Sequence, residues 1–324
     1  MVFATKQAST ARFPLTLDLA EMARLFGTTP EMIPEDCQAL IRQDDFRYRT
    51  LAGAEQDEVL RDVMQRIDSK ELSSAGPEGK PRWERGWSEN LDSFRKQRHD
   101  LSTLMPKYFR PHQPLRLDQQ FIVAENPNFE YAWFDVFRRW LFQTYCHDAE
   151  AVFEFGCGSG FNLAALASLY PQKRFVGLDW AVSSTDIVNE LGKTYGWNME
   201  GRVFDVFNPD EDLTIGADSI VLTIDALEQT GRNYERFLQY LLKTGPKRCV
   251  HIEPILEWYD EHNVVDETAI QFHKRRGYCE GIPNRLRELE HAGQIEILKM
   301  KRSYFGSLYI EGYSQLIWRP RRGR

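Results

Sequence analysis

The chain is poor in cysteine. Its 324 residues hold five, Cys37, Cys146, Cys157, Cys249 and Cys279, scattered and without a CxxC pair. An odd, unspaced set supports neither a disulfide framework nor a zinc site, and a reduced, cytoplasmic setting is expected. No run of about 18 apolar residues occurs, so no membrane span is expected. Positive charge is in deficit, with 41 Lys and Arg against 48 Asp and Glu and a formal net charge of −7. A nucleic-acid binder usually carries a basic surface, so no nucleic-acid partner is expected. The first 17 residues lack a continuous apolar core, so a frayed terminus is expected there rather than a secretory leader. Internal repeats are absent as well.

What is present is the composition of a globular chain, 42% hydrophobic and 13% aromatic. A polar stretch, SSAGPEGKPR (73–82), reads as a loop or linker. Before it, LDLAEMARLF (17–26) and EVLRDVMQRI (58–67) place apolar residues at three- and four-residue spacing and predict helices. Residues 83–128 mix aromatics, prolines and bases, and FEYAWFDVFRRWLFQTY (129–145) predicts a strongly amphipathic helix. Residues 1–128 are therefore read as a mainly helical N-terminal extension and 129–324 as the main domain. The extension serves as a lid over the acceptor side or as the arm of a homodimer, and the sequence leaves both open.

From Glu150 the pattern alternates. Strands are predicted at AVFEF (151–155), KRFVGLDW (173–180), GRVFDV (201–206), ADSIVLTID (217–225) and KRCVHIEP (247–254). Helices are predicted between them, at NLAALASLY (162–170), STDIVNELGKTYG (184–196) and YERFLQYLLKTG (234–245). Strands alternating with helices imply a parallel, doubly wound sheet covered on both faces, an α/β fold. Two last strands, at 294–302 and 307–320 with a turn around Gly306, predict a hairpin that adds an antiparallel strand.

The first of these strands runs into VFEFGCGSGFNL (152–163). In an open parallel sheet, ligands sit beyond the carboxyl ends of the strands, so Gly156, Gly158 and Gly160 line that crevice. Asp179 ends the second strand, where a carboxylate can accept hydrogen bonds from both hydroxyls of a ribose. The dinucleotide fingerprint GxGxxG needs a third glycine where Phe161 stands, or Leu163 if the count starts at Gly158. A phosphate loop needs GKS or GKT where GFN stands. The acid Glu154 beside the turn is unfavourable to phosphate and suits the ammonium and sulfonium of S-adenosylmethionine. That cofactor is the reading the turn supports, with a dehydrogenase well behind.

With those residues in view, the segment from about 150 to 320 resembles the class I S-adenosylmethionine-dependent methyltransferases. EFGCGSG is similar to their first motif, GLDW to the ribose-acid segment, FDV to the adenine contact and LTIDALEQ to their fourth motif. The last two strands resemble the family's sixth and seventh, which implies a seven-stranded sheet. HIEP, FHKRRGY and GYSQLIWRP also resemble a bacterial subset acting on small molecules or sugars. The resemblance implies that Gly156, Cys157 and Gly158 bend around the methionine part, and that Glu154 orients the turn and the ammonium. It implies that Asp179 holds the ribose, Trp180 lies against the adenine, Asp205 and Val206 meet its edge, and Asp225 sits beneath the sulfonium. Asn162 opens the following helix and is expected to cap it.

Methyl transfer is an in-line displacement that asks mainly for positioning, plus a base if the acceptor is a hydroxyl. His251 and Glu253 alternate onto one side of the fifth strand near its carboxyl end and are candidate bases. In AIQFHKRRGY, His273 and Arg276 share a helical face, as base and anion anchor, while Lys274 and Arg275 read as a solvated stripe. Tyr259 is a candidate substrate contact. In PKYFR (106–110), Tyr108 or Phe109 is a candidate to face the sulfonium and Arg110 to bind the methionine carboxylate. HIE and EHN lack a second spaced histidine pair, so no metal is expected. The expected activity is methyl transfer to a small-molecule acceptor, a hydroxyl of a metabolite or sugar-like compound. The rivals are an N-methyltransferase acting on an amine or protein side chain, and a non-catalytic S-adenosylmethionine-binding module.

Overall fold

The structure, a computed structural model, describes residues 13–321; the leader reading of the first residues falls largely outside them. The N-terminal region runs β1 (Leu15–Thr16), α1 (Leu19–Phe26), α2 (Glu35–Gln43), β2 (Arg47–Thr50), α3 (Ala54–Asp68), α4 (Lys80–Lys96), β3 (Leu115–Leu117) and β4 (Gln120–Ala124). There follow α5 (Phe129–Tyr145), β5 (Ala151–Phe155), α6 (Phe161–Leu169), β6 (Arg174–Asp179), α7 (Val182–Tyr195), β7 (Met199–Val203), β8 (Ser219–Ile224) and α8 (Glu235–Thr244). The chain ends with β9 (Arg248–Glu253), α9 (Val264–Arg276), α10 (Ile282–His291), β10 (Ile295–Lys301), β11 (Phe305–Gly306) and β12 (Ser314–Pro320).

Among the described residues, seven strands form one sheet in the order β10-β12-β9-β8-β5-β6-β7. Strands β7, β6, β5, β8 and β9 are parallel, and β12 enters antiparallel between β9 and β10. β5 and β8 are buried along their whole length, as the continuous apolar runs of a sheet covered on both faces require. This is the expected α/β architecture, a Rossmann-like sheet with an antiparallel strand added. The chain leaves β5 for β6 on one side and returns to β8 on the other, so strand order reverses between β5 and β8. The glycine turn after β5 stands at that switch point.

Two features depart from the sequence reading. The last hairpin does not turn tightly at Gly306; residues 302–313 link β10 to β12, and β11 within that link leaves the sheet. β11 pairs with β3 in a second, antiparallel sheet of order β1-β2-β4-β3-β11. Gly306 is needed there because a Cβ would run into the carbonyl of Ile310. The N-terminal region thus contributes a sheet as well as helices, which short strands of two to five residues did not reveal to periodicity.

The two parts share one apolar core. Phe26 of α1 packs at 5.5 Å on Trp133, 5.3 Å on Phe137 and 5.1 Å on Trp140, all on α5. Arg116 of β3 is wholly buried and donates to the carbonyls of Leu308 (2.9 Å) and Val265 (2.5 Å) and to Thr268 Oγ1 (2.6 Å). Arg302, nearly buried, pairs with Asp266 and Glu311 at 2.7 Å each. These cations pin the 302–313 link, whose tip reaches the site described next.

Candidate active site

The turn after β5 is built on left-handed backbone. Gly156 has φ 72° and Gly158 φ 52°, a region that L side chains rarely adopt. The Asp179 carboxylate, at the end of β6, accepts from Gly158 N at 3.0 Å and from Ala181 N at 2.9 Å. It therefore holds the turn and the start of α7 together. Burial raises its pKa to about 6 against those two bonds.

Two adjoining chambers open at this point. The smaller, about 80 Å³, is walled by Trp83, Gly156, Asp179, Trp180, Val206 and Asp225. The larger, about 270 Å³, is walled among others by Tyr108, Glu130, Asn162, Asp225, Glu228 and Tyr278. Trp83, Trp87, Gly156, Asp225 and Gln229 border both. Asp225 has φ 50°, in the region where a non-glycine residue is uncommon and Asp is among the best tolerated. A Cβ on Gly312, in the 302–313 link, would come within 2.6 Å of its carboxylate.

The cover over the chambers is α4. Trp83 and Trp87 stand four residues apart and stack with centroids 5.9 Å apart and planes 18° apart. A Cβ on Gly158 would stand 2.7 Å from the Trp87 ring, so the indole rests directly on the turn. Glu84, between them, accepts from Val182 N (2.7 Å) and Ser183 N (3.2 Å) and caps α7. Arg95 pairs with Glu190 at 2.5 Å further along. The helix is thus docked along α7, which begins just after Asp179.

Glu154 and Asn162 lie behind the turn. Asn162 does not cap α6, whose cap position is Gly160; its Nδ2 donates to Glu154 Oε1 at 2.9 Å. Glu154 is 1% exposed and its Oε2 has no partner, nor has Asn162 Oδ1. Desolvation, only partly offset by Asn162, raises the Glu154 carboxyl to about 8. A carboxyl whose folded pKa is raised contributes stability below its ordinary value near 4.5 and loses it as pH climbs through about 8. The ligand-free protein is therefore expected to lose on the order of 5 kcal/mol from this group across that window. Urea unfolding at stepped pH measures it, and Glu154→Gln should flatten the upper part of the curve. An unchanged slope in the variant would show the carboxyl is not so buried.

Of the expected cofactor residues, Gly156, Asp179, Trp180, Val206 and Asp225 border the smaller chamber. Cys157, Gly158, Asn162, Tyr108 and Arg110 border the larger. Asp205 and Gly160 border neither: Asp205 Oδ2 accepts from Lys80 Nζ at 2.7 Å and Oδ1 from Phe207 N at 3.0 Å, and Gly160 faces α7, where a Cβ would meet Leu191 at 2.9 Å.

The candidate bases and substrate contacts stand off both chambers. His251, 1% exposed, lies 2.9 Å from Thr223 Oγ1 and stacks on Trp318, and burial lowers its pKa to about 3. Glu253 accepts from Thr223 Oγ1 at 2.6 Å and from the amides of Ala226, Leu227 and Glu228 at 3.1 to 3.2 Å. It pins the loop after β8. His273 Nε2 is 2.8 Å from the carbonyl of Cys279, and burial lowers its pKa to about 4. Arg276 donates to Ser73 O at 2.5 Å and lies behind the Tyr278 ring at 4.9 Å. The Tyr259 hydroxyl accepts from Glu311 N at 2.8 Å. Each is held by the packing around the sheet ends, because side chains on a covered strand or an inward helical face meet core before they meet a crevice.

Sequence reading missed Trp83, Trp87, Glu130, Glu228 and Tyr278. Two signals were available. Trp83 and Trp87 stand at helical i, i+4 spacing. Glu130 falls on the same helical face as Trp133, Phe134 and Phe137, and an acid in an apolar stripe asks for a reason.

No family model matches the chain, and no curated protein matches it. Solved structures do. The geranyl diphosphate C-methyltransferase from Streptomyces coelicolor A3(2), in complex with Mg2+, geranyl diphosphate and S-adenosyl-L-homocysteine, aligns at TM-score 0.46 and 10% identity, covering 78% of this chain and 100% of that one. The [4+2]-cyclase SpnF aligns at TM-score 0.48 and 13% identity over 78% and 98%. A SAM dependent methyltransferase from Aquifex aeolicus aligns at 0.38 and 14% over 56% and 87%.

Proposed function

We propose that the protein is an S-adenosylmethionine-dependent methyltransferase acting on a small-molecule acceptor. The observation that carries this is the left-handed glycine turn at the switch point, tied to Asp179 and opening on Asp225. The orphaned Oε2 of buried Glu154 behind the turn fits a cofactor that brings positive charge. S-adenosylmethionine supplies, when bound, a methyl group already activated by its sulfonium.

The protein's own residues then position and enclose. Asp179 offers its carboxylate to ribose hydroxyls, and Trp180 and Val206 wall the base. Glu154, through Asn162 and the turn, sets the ammonium end, and Arg110 at the rim of the larger chamber suits a carboxylate. Trp83, Trp87 and Tyr108 exclude water. The N-terminal region acts in this reading as the cover of the acceptor side. At about 80 Å³ the smaller chamber is narrow for a nucleoside, so the Trp83–Trp87 pair shifts on binding. The hydroxyl-acceptor reading loses its histidine bases to the core; the acidic groups at the larger chamber are three carboxyls, Glu130, Asp225 and Glu228, beside tyrosine hydroxyls.

The test is calorimetric titration with S-adenosylhomocysteine beside NAD and ATP. Micromolar binding of the first alone, with a change in tryptophan fluorescence, is expected. Asp179→Ala should weaken it by about 30-fold or more, roughly 2 kcal/mol for a buried charged acceptor. Tighter binding of NAD or ATP would overturn the reading.

A further inference from the structure

The larger chamber has a charge problem that the cofactor does not solve. Three carboxyl side chains line it: Glu130 from α5, and Asp225 and Glu228 from the loop after β8. Glu130 is 5% exposed and Glu228 4%. Glu130 Oε1 accepts from the Tyr313 hydroxyl at 2.9 Å, and Glu228 Oε1 from Gln229 Nε2 at 2.9 Å. The second oxygen of each, Oε2, has no partner. Asp225 is raised well above the ordinary carboxyl range by burial and by the charges of Glu228 and Glu130, and Glu130 itself is raised to about 7 by burial. The cation on this wall, Arg110, stands at the exposed rim.

Buried carboxylates without a counter-charge are costly, and three facing one space repel each other. One positive charge, the sulfonium, would meet Asp225, which borders both chambers. Glu130 and Glu228 border the larger chamber alone, so their charge is left over. A hydroxyl acceptor would give one of the acids a donor, and no charge. An ammonium gives three donors and the missing charge together. The remaining wall includes Tyr278, Tyr309 and Tyr313, ring faces and edges able to hold a cation or its carbon frame.

Resting on the methyltransferase reading, we infer that the larger chamber binds a small amine, its ammonium held by Glu130, Glu228 and Asp225, so that the acceptor atom is nitrogen. The ammonium enters charged and passes one proton to a carboxylate of the trio. The freed lone pair forms the nitrogen–carbon bond to the methyl group while the carbon–sulfur bond breaks and its pair stays on sulfur. The product leaves as the N-methylated ammonium beside a neutral thioether. No stronger base is required, which agrees with both histidines lying in the core.

The test reads binding rather than turnover. Matched pairs, phenethylamine with 2-phenylethanol, cyclohexylamine with cyclohexanol and glucosamine with glucose, are added at pH 7.5 and equal ionic strength. Each is tried with and without saturating S-adenosylhomocysteine, and the melting temperature is recorded. At least one amine is expected to raise it by a few degrees, with no shift from its alcohol twin. Glu130→Gln and Glu228→Gln, each read only if it melts in a single transition, should lose that preference. Equal or larger shifts from the alcohols, or none from any amine, would overturn the inference. Failure of S-adenosylhomocysteine to bind is seen separately in the calorimetry and would overturn the methyltransferase reading, while the runs without it still judge the chamber.

Discussion

Gly156→Ala is expected to abolish S-adenosylhomocysteine binding and to cost about 2–5 kcal/mol of stability. Two effects add. An L residue held at φ 72° carries a left-handed penalty of about 1–2 kcal/mol. The new Cβ would also overlap the Cβ of Ala226, and overpacking of this kind costs about 1–3 kcal/mol. Ala226 cannot easily give way, because its amide is bound by the buried Glu253 carboxylate at 3.1 Å. Relief must come from the turn itself, which moves the backbone that faces both chambers. Calorimetric titration and urea unfolding measure the two effects. Binding within a few-fold of the parent protein would show that the turn is not the cofactor's cradle.

Glu253→Ala is expected to destabilise the protein by about 3–5 kcal/mol, and to weaken ligand binding as a consequence. The carboxylate accepts from the Thr223 hydroxyl and from three successive amides, Ala226, Leu227 and Glu228. Those amides open the short helical turn at Leu227–Thr230, which carries Glu228 and Gln229 to the chambers. Alanine would strand buried N–H groups, each costing about 1–3 kcal/mol. A base in contact with the acceptor would behave differently, losing turnover while keeping its unfolding curve. Parent-like unfolding with turnover gone would therefore restore Glu253 as a base.

The contrast between Asp179 and Glu253 shows how far the site could be read along the chain. Both are acids at strand ends, and both were legible as candidates from that position alone. Asp179 borders a chamber, whereas Glu253 is turned to the neighbouring loop. Which way such a side chain faces depends on the strand beside it, here β8 and its trailing loop, and no periodicity within β9 encodes that. His251 failed as a site residue for the same reason: alternation placed it beside Glu253 on one side of the strand, and that side meets Thr223 and Trp318. The glycine turn was legible because its requirement is local, a backbone at positive φ between a strand and a helix.

By itself the sequence determined the sheet, the order of its parallel strands and helices, the turn at the switch point and the acid at the end of β6. These follow from patterns within some ten to thirty consecutive residues, where burial and backbone geometry leave a periodic trace. Only the tertiary structure decided that Trp83 and Trp87 cover the turn, and that β11 leaves the main sheet to pair with β3. Only it brought Glu130, from the helix before the first strand of the seven-stranded sheet, beside Asp225 and Glu228 from after that sheet's fourth strand along the chain. An isolated acid in each segment says nothing of the others. Their effect on one another, and on whatever cation they hold, exists only once the fold has closed them in a common low-dielectric space.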